Sequence, residues 1–245
     1  MTGGKLIHRI QRSVLQLRLQ PIRVFCFHQV SERYDSEVYC KPDWMSLDDF
    51  KRKVQSLQHR GYTFISLSEA YRHISDDKLR RKKYAVLTCD DGLKCQAALI
   101  PWLESQKIPL TLFVTAKYLD GKSCGDQILR YFGITDKESE RKLAQRLYLT
   151  VEEFAQMNYP LVEIGMHGFE HIDYQSTDDT LFENHLQLTV KALHGHLKYI
   201  PFFAYPYGTH TLRTDMVLRK TKIIPVYIDG QKNINDINCI HREMI

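Results

Sequence analysis

Tyr84-Ala85-Val86-Leu87-Thr88-Cys89-Asp90-Asp91-Gly92 is the stretch from which the architecture can be read. Six apolar or β-forming residues run into two carboxylates and a glycine, which reads as a buried strand that stops abruptly. Asp90 and Asp91 then stand at the strand's C-terminal end. In extended backbone, neighbouring side chains point to opposite sides, so the two carboxylates can divide labour, one on a metal ion and the other on a water molecule. Taken alone, Asp-Asp-Gly is also an ordinary turn.

Outward from this strand, helices and strands alternate. A strand is expected near Val24–Phe27, and a helix from about Leu47 to Arg60, opened by Ser46 with Asp49 three residues on and stopped by Gly61. Tyr62–Ile65 follows as a strand, then a helix opened by Ser66. Beyond Asp90 come a helix around Cys95–Gln106 and a strand over Pro109–Thr115. This alternation implies a parallel sheet with crossover helices, a fold whose ligands gather at the C-terminal strand ends. At 245 residues and 43% hydrophobic content the chain can bury one sizeable core, so one domain is expected over 21–245. The charged, glycine-interrupted segment at about 120–159 reads as an insertion with helices at Asp136–Leu147 and Val151–Met157, the latter capped by Thr150 and Glu153. Its place between motifs suits a substrate rim, and a solvated excursion is the plainer alternative. Ser176–Lys198 reads as a long helix.

Two further motifs follow strand-like runs. Leu161–Ile164 is ended by Gly165, and then come His167-Gly168-Phe169-Glu170-His171. Imidazoles four apart on a helical turn share one face and can fill two metal positions. After Ile200–Ala204 comes Tyr205-Pro206-Tyr207-Gly208, a turn able to aim a backbone N–H at a developing oxyanion. Two His and one carboxylate also form the facial triad of non-haem iron oxygenases, but that chemistry leaves the second Asp and the Pro-Tyr-Gly turn without a role.

Taken together and in this order, the motifs resemble the polysaccharide deacetylase family, the NodB homology domain of carbohydrate esterase family four, from about Val24 to the C-terminus. The resemblance implies a distorted, incompletely closed (β/α) barrel. It implies Asp90 as catalytic base, Asp91, His167 and His171 as ligands of a divalent metal (Zn2+, with Co2+ or Ni2+ as alternatives), and the Tyr207 N–H as oxyanion donor. Pro206 and Gly208 shape the substrate-facing turn, and Tyr205 is a candidate for stacking on the sugar, with core packing as the alternative. There are departures. Cys89 replaces a Phe, the Arg that often precedes Pro-Tyr-Gly is absent from Phe203-Ala204-Tyr205, and no late Leu-x-His is found before the terminal Cys239-Ile240-His241-Arg242-Glu243-Met244-Ile245. These departures are similar to the intercellular-adhesin and poly-N-acetylglucosamine deacetylase branch, where a Tyr-His motif on the first strand supplies the general acid. Phe27-His28 matches it, making His28 the candidate acid, with a packed strand-end histidine as the alternative. The implied activity is hydrolysis of the acetamide of an N-acetylhexosamine unit in a polysaccharide or a lipid-linked precursor. The alternative is a non-catalytic carbohydrate-binding relative.

Charge and cysteines bear on surroundings. Lys5, Arg9, Arg12, Arg18 and Arg23 precede the first acid, Glu32, and the remaining 29 basic residues balance 29 acidic ones. Leu6, Ile10, Val14 and Leu17 recur at helical spacing, so residues 1–20 suit a basic amphipathic arm resting on an anionic membrane surface, with a helix packed on the barrel as the alternative. The balanced remainder gives no reason to expect nucleic acid. Apolar runs near the N-terminus are too short for a signal-peptide core, and the six cysteines show no metal-ribbon or disulfide spacing. A cytoplasmic location, peripheral to the membrane's inner face, is the resulting expectation.

Overall fold

Strands and helices alternate because each apolar strand is followed by a capped, amphipathic segment. The computed structural model describes residues 22–74, 82–157, 159–196, 198–230 and 237–245; the basic arm at 1–20 lies outside them. In chain order the elements are β1 (Arg23–Phe27), β2 (Gln29–Ser31), β3 (Trp44–Ser46), α1 (Leu47–His59), β4 (Tyr62–Phe64), α2 (Leu67–Ile74), β5 (Lys83–Cys89), α3 (Lys94–Ala97), α4 (Ile100–Gln106), β6 (Leu110–Val114), α5 (Asp126–Phe132), α6 (Lys137–Leu147), α7 (Val151–Gln156), β7 (Val162–Met166), α8 (Asp179–Leu193), β8 (Tyr199–Ala204), α9 (Leu212–Lys220), β9 (Ile224–Ile228) and β10 (Ile240–Met244). The Ser46 hydroxyl accepts from the Asp49 N–H at 3.1 Å to start α1, and Thr150 and Glu153 form the expected capping box at α7.

The strands form a parallel barrel. Their order is β1-β10-β9-β8-β7-β6-β5, with β5 pairing back to β1 and β4 flanking β5. An incompletely closed barrel was expected, but the hydrogen-bonded ring closes: five register pairs, from Arg23↔Ala85 to Phe27↔Cys89, join β1 to β5. The distortion sits at β7–β8, where the register shifts between Ile164 and Met166. All pairings being parallel, the C-terminal ends of β1, β5, β7 and β8 share one rim, and His28, Asp90, His167 and Tyr205 each follow one of these ends within a residue.

Several boundaries differ from the sequence-based expectation. Gly165 does not end the strand-like run begun at Leu161 but lies inside β7. A Cβ there would come within 2.5 Å of the Phe113 ring, so the glycine lets the aromatic pack against the strand. The helix expected over Cys95–Gln106 is two, broken before Pro101, which occupies the first turn of α4 where its missing N–H costs nothing. The insertion carries a third helix, α5, held between Gly125 and Gly133. Ser176–Lys198 shortens to α8, begun by Asp178, whose side chain accepts from the Leu181 N–H at 2.7 Å. Arg23, counted with the arm's unopposed charges, is tied within the barrel to Glu243 at 2.5 Å. Among the described residues no helix is long and apolar enough to cross a membrane.

Candidate active site

Asp90 and Asp91 follow the end of β5 and face different partners, because the backbone leaves the extended conformation at Asp91. Asp91 has a positive φ of 79°, an uncommon conformation for a non-glycine residue and one that the surrounding structure must hold. It turns the Asp91 carboxylate toward the imidazoles: its Oδ1 lies 3.5 Å from His167 Nε2 and 3.4 Å from His171 Nε2. One ligand atom from each of the three residues falls within 4.8 Å of the others.

The chemistry of these atoms fits a cation between them. His167 Nδ1 lies 2.8 Å from the Ala204 carbonyl. A carbonyl only accepts, so Nδ1 carries the hydrogen and Nε2 keeps its lone pair when the ring is neutral. Burial pushes the His167 pKa down to about 4, which keeps the ring neutral at pH 7. A lone pair thus faces a carboxylate oxygen, and Asp91 Oδ1 is buried with no hydrogen-bond partner. Such an arrangement is costly unless a cation occupies the gap. His171→Ala is therefore expected to lose zinc far more readily than the wild type, by well over about 100-fold in affinity, since supporting groups alone are worth roughly 10–100-fold. Elemental analysis after dialysis measures this, and wild-type metal content in the folded variant would place the ion elsewhere.

Asp90 lies beside this centre in a different environment. It is 3% exposed, and Arg242 forks onto it, Nη1 donating to Oδ1 at 2.6 Å and Nη2 to Oδ2 at 2.8 Å. Arg242 is fully buried at 0% exposure, and its Nη1 also reaches the Thr88 hydroxyl at 3.1 Å. Burial by itself would raise the Asp90 pKa and is the largest single influence on it, but the charge and hydrogen bonds of Arg242, joined by His167 and His28, together outweigh it and hold the carboxyl below the usual carboxylate range. No Arg stands next to Pro-Tyr-Gly, and the structure supplies one from β10. Strand alternation places Ile240, Arg242 and Met244 on one face, and a buried Arg needs a carboxylate, which was the available signal.

His28 stands just past β1, with Nε2 4.0 Å from Asp90 Oδ2 and Nδ1 buried without a partner. Gln96, fully buried, binds both strand ends: its Nε2 donates to the Asp90 carbonyl at 2.5 Å and to the His28 carbonyl at 3.0 Å. The sequence reading missed this residue too. Cys26, His28 and Asp90 also bring ligand atoms within 4.8 Å. A cation there would meet the Arg242 guanidinium, and burial raises the Cys26 thiol well above its ordinary pKa, so this group does not suit a metal. Cys89 is buried, its thiol directed at the Thr111 carbonyl at 3.9 Å.

The turn after β8 completes the rim. Tyr207 has φ 59°, and its ring stands edge-on to His171 with centroids 4.5 Å apart, half exposed at the cavity mouth. Gly208 has φ 70°, and a Cβ there would come within 2.5 Å of the Ile228 side chain. Pro206 is buried. Tyr205 differs from the expectation of sugar stacking: its ring is 1% exposed, packed against Phe203 and Phe182, with its hydroxyl donating to Asp215 at 3.0 Å. Asp215 also lies 3.2 Å from His210 Nδ1, so it braces the turn on both sides. Tyr205 anchors the turn and borders the same cavity as the catalytic groups while exposing little of itself there. His28, Asp90, Asp91, His167, His171 and Tyr207 all line one cavity of about 470 Å3.

Comparison with known proteins bears on this geometry. The polysaccharide deacetylase family profile matches residues 77–226. No curated protein matches this chain. Among solved structures, IcaB from Ammonifex degensii is similar at a TM-score of 0.71 and 21% identity over 92% of both chains. The Streptococcus pyogenes deacetylase PplD in complex with acetate is similar at 0.71 and 18% identity over 93% of both. A de-N-acetylase from Aggregatibacter actinomycetemcomitans reaches 0.70 and 16% identity over 92% of this chain and 95% of that one. At such identities the likeness speaks for the fold.

Proposed function

This chain belongs to the polysaccharide deacetylase family, and from that premise we propose that it is a metal-dependent hydrolase of the acetamide of an N-acetylhexosamine unit in a glycan, releasing acetate and a free amino sugar. The observation that carries the metal dependence is the orphaned Asp91 oxygen facing two imidazoles beside a separately held Asp90. A divalent ion held by Asp91, His167 and His171, zinc being the best fit to one carboxylate and two imidazoles, supplies Lewis acidity at the acetamide carbonyl and a water of lowered pKa.

The remaining steps belong to the chain's own residues. Asp90, ionised and fixed by Arg242, accepts the proton of the attacking water at a carboxylate oxygen. The backbone N–H of Tyr207 donates to the oxygen on which negative charge develops. His28 delivers a proton to the departing sugar nitrogen, so that the C–N bond breaks to an amine and acetate. An imidazole suits that role near neutral pH, and its position 4.0 Å from Asp90 sets acid and base on the same side of the cavity.

Zinc-loaded protein incubated with N-acetylglucosamine oligomers and with lipid-linked N-acetylated precursors is expected to release acetate from at least one class, and chelation to abolish it. Binding without acetate release from any of them would favour the non-catalytic carbohydrate-binding alternative. An arm lying on an anionic membrane would favour the lipid-linked class.

A further inference from the structure

The outer face of the barrel carries a second cluster of titratable side chains. Cys239 stands just before β10 and His241 within it, two residues apart in extended backbone and so on one face. That face is opposite to Arg242, which points inward to Asp90. β9 lies alongside in parallel, with Tyr227 in register with His241, and Asp229 follows its end. The Gly230 N–H donates to the Arg242 carbonyl at 3.1 Å, which holds the Asp229 segment against β10.

The polar atoms of the three side chains are in sequence. His241 Nδ1 lies 2.6 Å from Asp229 Oδ2, and His241 Nε2 lies 3.4 Å from the Cys239 sulfur. A carboxylate only accepts, so Nδ1 carries the hydrogen and Nε2 of the neutral ring turns a lone pair to the thiol. That is the order of a nucleophile, a base and a group that orients the base. The other five thiols are placed differently. Burial raises the pKa of Cys26, Cys40, Cys89, Cys95 and Cys124 above the ordinary cysteine value, and Cys89 and Cys124 point at backbone carbonyls, which take no proton. None of Cys239, His241 and Asp229 lines the deacetylase cavity.

We infer that Cys239 is a nucleophilic thiol that reacts with hydrogen peroxide, His241 serving as its base and Asp229 holding the imidazole in place. The thiol proton passes to His241 Nε2 as the sulfur attacks one peroxide oxygen. The S–O bond forms while the O–O bond breaks, and the imidazolium hands its proton to the departing hydroxide. Water and a sulfenic acid result, the sulfur losing the two electrons that the peroxide gains. Two features suit this electrophile. Cys239 is 7% exposed, which admits a small reagent, and peroxide needs a proton on its leaving oxygen, which His241 holds 3.4 Å from the sulfur. An anionic electrophile would meet the Asp229 charge.

The test exposes the full chain to hydrogen peroxide at pH 7 with dimedone present to trap sulfenic acid, and follows labelling of each of the six cysteines by peptide mass spectrometry. Cys239 is expected to be labelled ahead of the other five. His241→Gln should slow its labelling about 100-fold, the low end for loss of a positioned base. Asp229→Asn keeps the side chain's size and should slow it about tenfold, the worth of one hydrogen bond to a charged group. Labelling of the other five should stay at wild-type rates in both variants. A wild type in which Cys239 reacts no faster than the others overturns the inference, as does an unchanged or faster rate at Cys239 in a folded His241→Gln, since access and not the base would then govern the thiol. If His241→Gln does not fold, Asp229→Asn decides: slower labelling supports the inference, and equal or faster labelling overturns it. Acetate release enters none of these outcomes, so they stand apart from the deacetylase reading.

Discussion

Asp90→Asn is expected to turn over an N-acetylated glycan about 10²–10⁴-fold more slowly than the wild type while retaining its zinc, because an amide cannot accept the proton of water. The proposed ligands Asp91, His167 and His171 are untouched by the substitution. The wild-type carboxyl is held below the usual carboxylate range by Arg242 against its own burial, so it is fully ionised throughout the neutral range. The deficit should accordingly be the same across neutral pH. Asparagine also turns one donor toward the Arg242 fork, which weakens the fold, so rates belong well below the variant's unfolding temperature, with melting curves recorded alongside. Asp91→Asn should fail earlier, by losing metal. A zinc-loaded, folded Asp90→Asn that works at nearly the wild-type rate would mean that the proton goes elsewhere, and His28 at 4.0 Å would be the next group to examine.

The parts of the site that could be read from sequence are those whose residues lie close along the chain. Asp90-Asp91-Gly92 is a local feature of a strand end, and His167 with His171 is a local spacing, so both motifs and the strands before them were visible. The barrel followed from alternation, since a parallel pairing requires a crossover and the crossovers show helical caps. Closure was less visible: β1 and β5 pair over some sixty residues of separation, and nothing local specifies it. Arg242 shows the same limit in the site. It meets Asp90 across a separation of 152 residues, from β10 and not from the strand that precedes Pro-Tyr-Gly. Tyr205 shows a different limit. An aromatic beside a catalytic turn reads equally well as a sugar platform or as an anchor, and only its burial against Phe203 and Phe182 decides. Helix α5 was hidden because Gly125 and Gly133, read as interruptions, are its two ends.

Arg242→Met is expected to destabilise the metal-free protein by about 3–5 kcal/mol at pH 7, the range for removing one member of a buried ion pair. For a chain of this size that lowers Tm by on the order of 10 °C. The loss arises from Asp90, left charged at 3% exposure with no cation to offset its burial. The pH dependence follows from the direction of its pKa. In the wild type the folded pKa lies below the unfolded value, so the pair's stabilisation is complete above about pH 3.9 and is lost only as pH falls through the folded pKa. Without Arg242 the main opposition to burial is gone, only the influence of His167 and His28 remains, and the folded pKa is expected to rise above the unfolded one. The penalty is then full at neutral pH and shrinks as Asp90 protonates, so the gap between variant and wild type should narrow from pH 7 toward pH 4. Adding Asp90→Asn to Arg242→Met removes the stranded charge and should recover much of the stability at pH 7, which urea unfolding of the four proteins of the cycle measures. Arg242→Lys should restore the charge without the two-pronged geometry and fall between. Equal losses at pH 7 and pH 4.5, or additive losses in the double variant, would mean that Arg242 supports the barrel by packing, as its place over the Phe113 ring allows, and not by balancing Asp90.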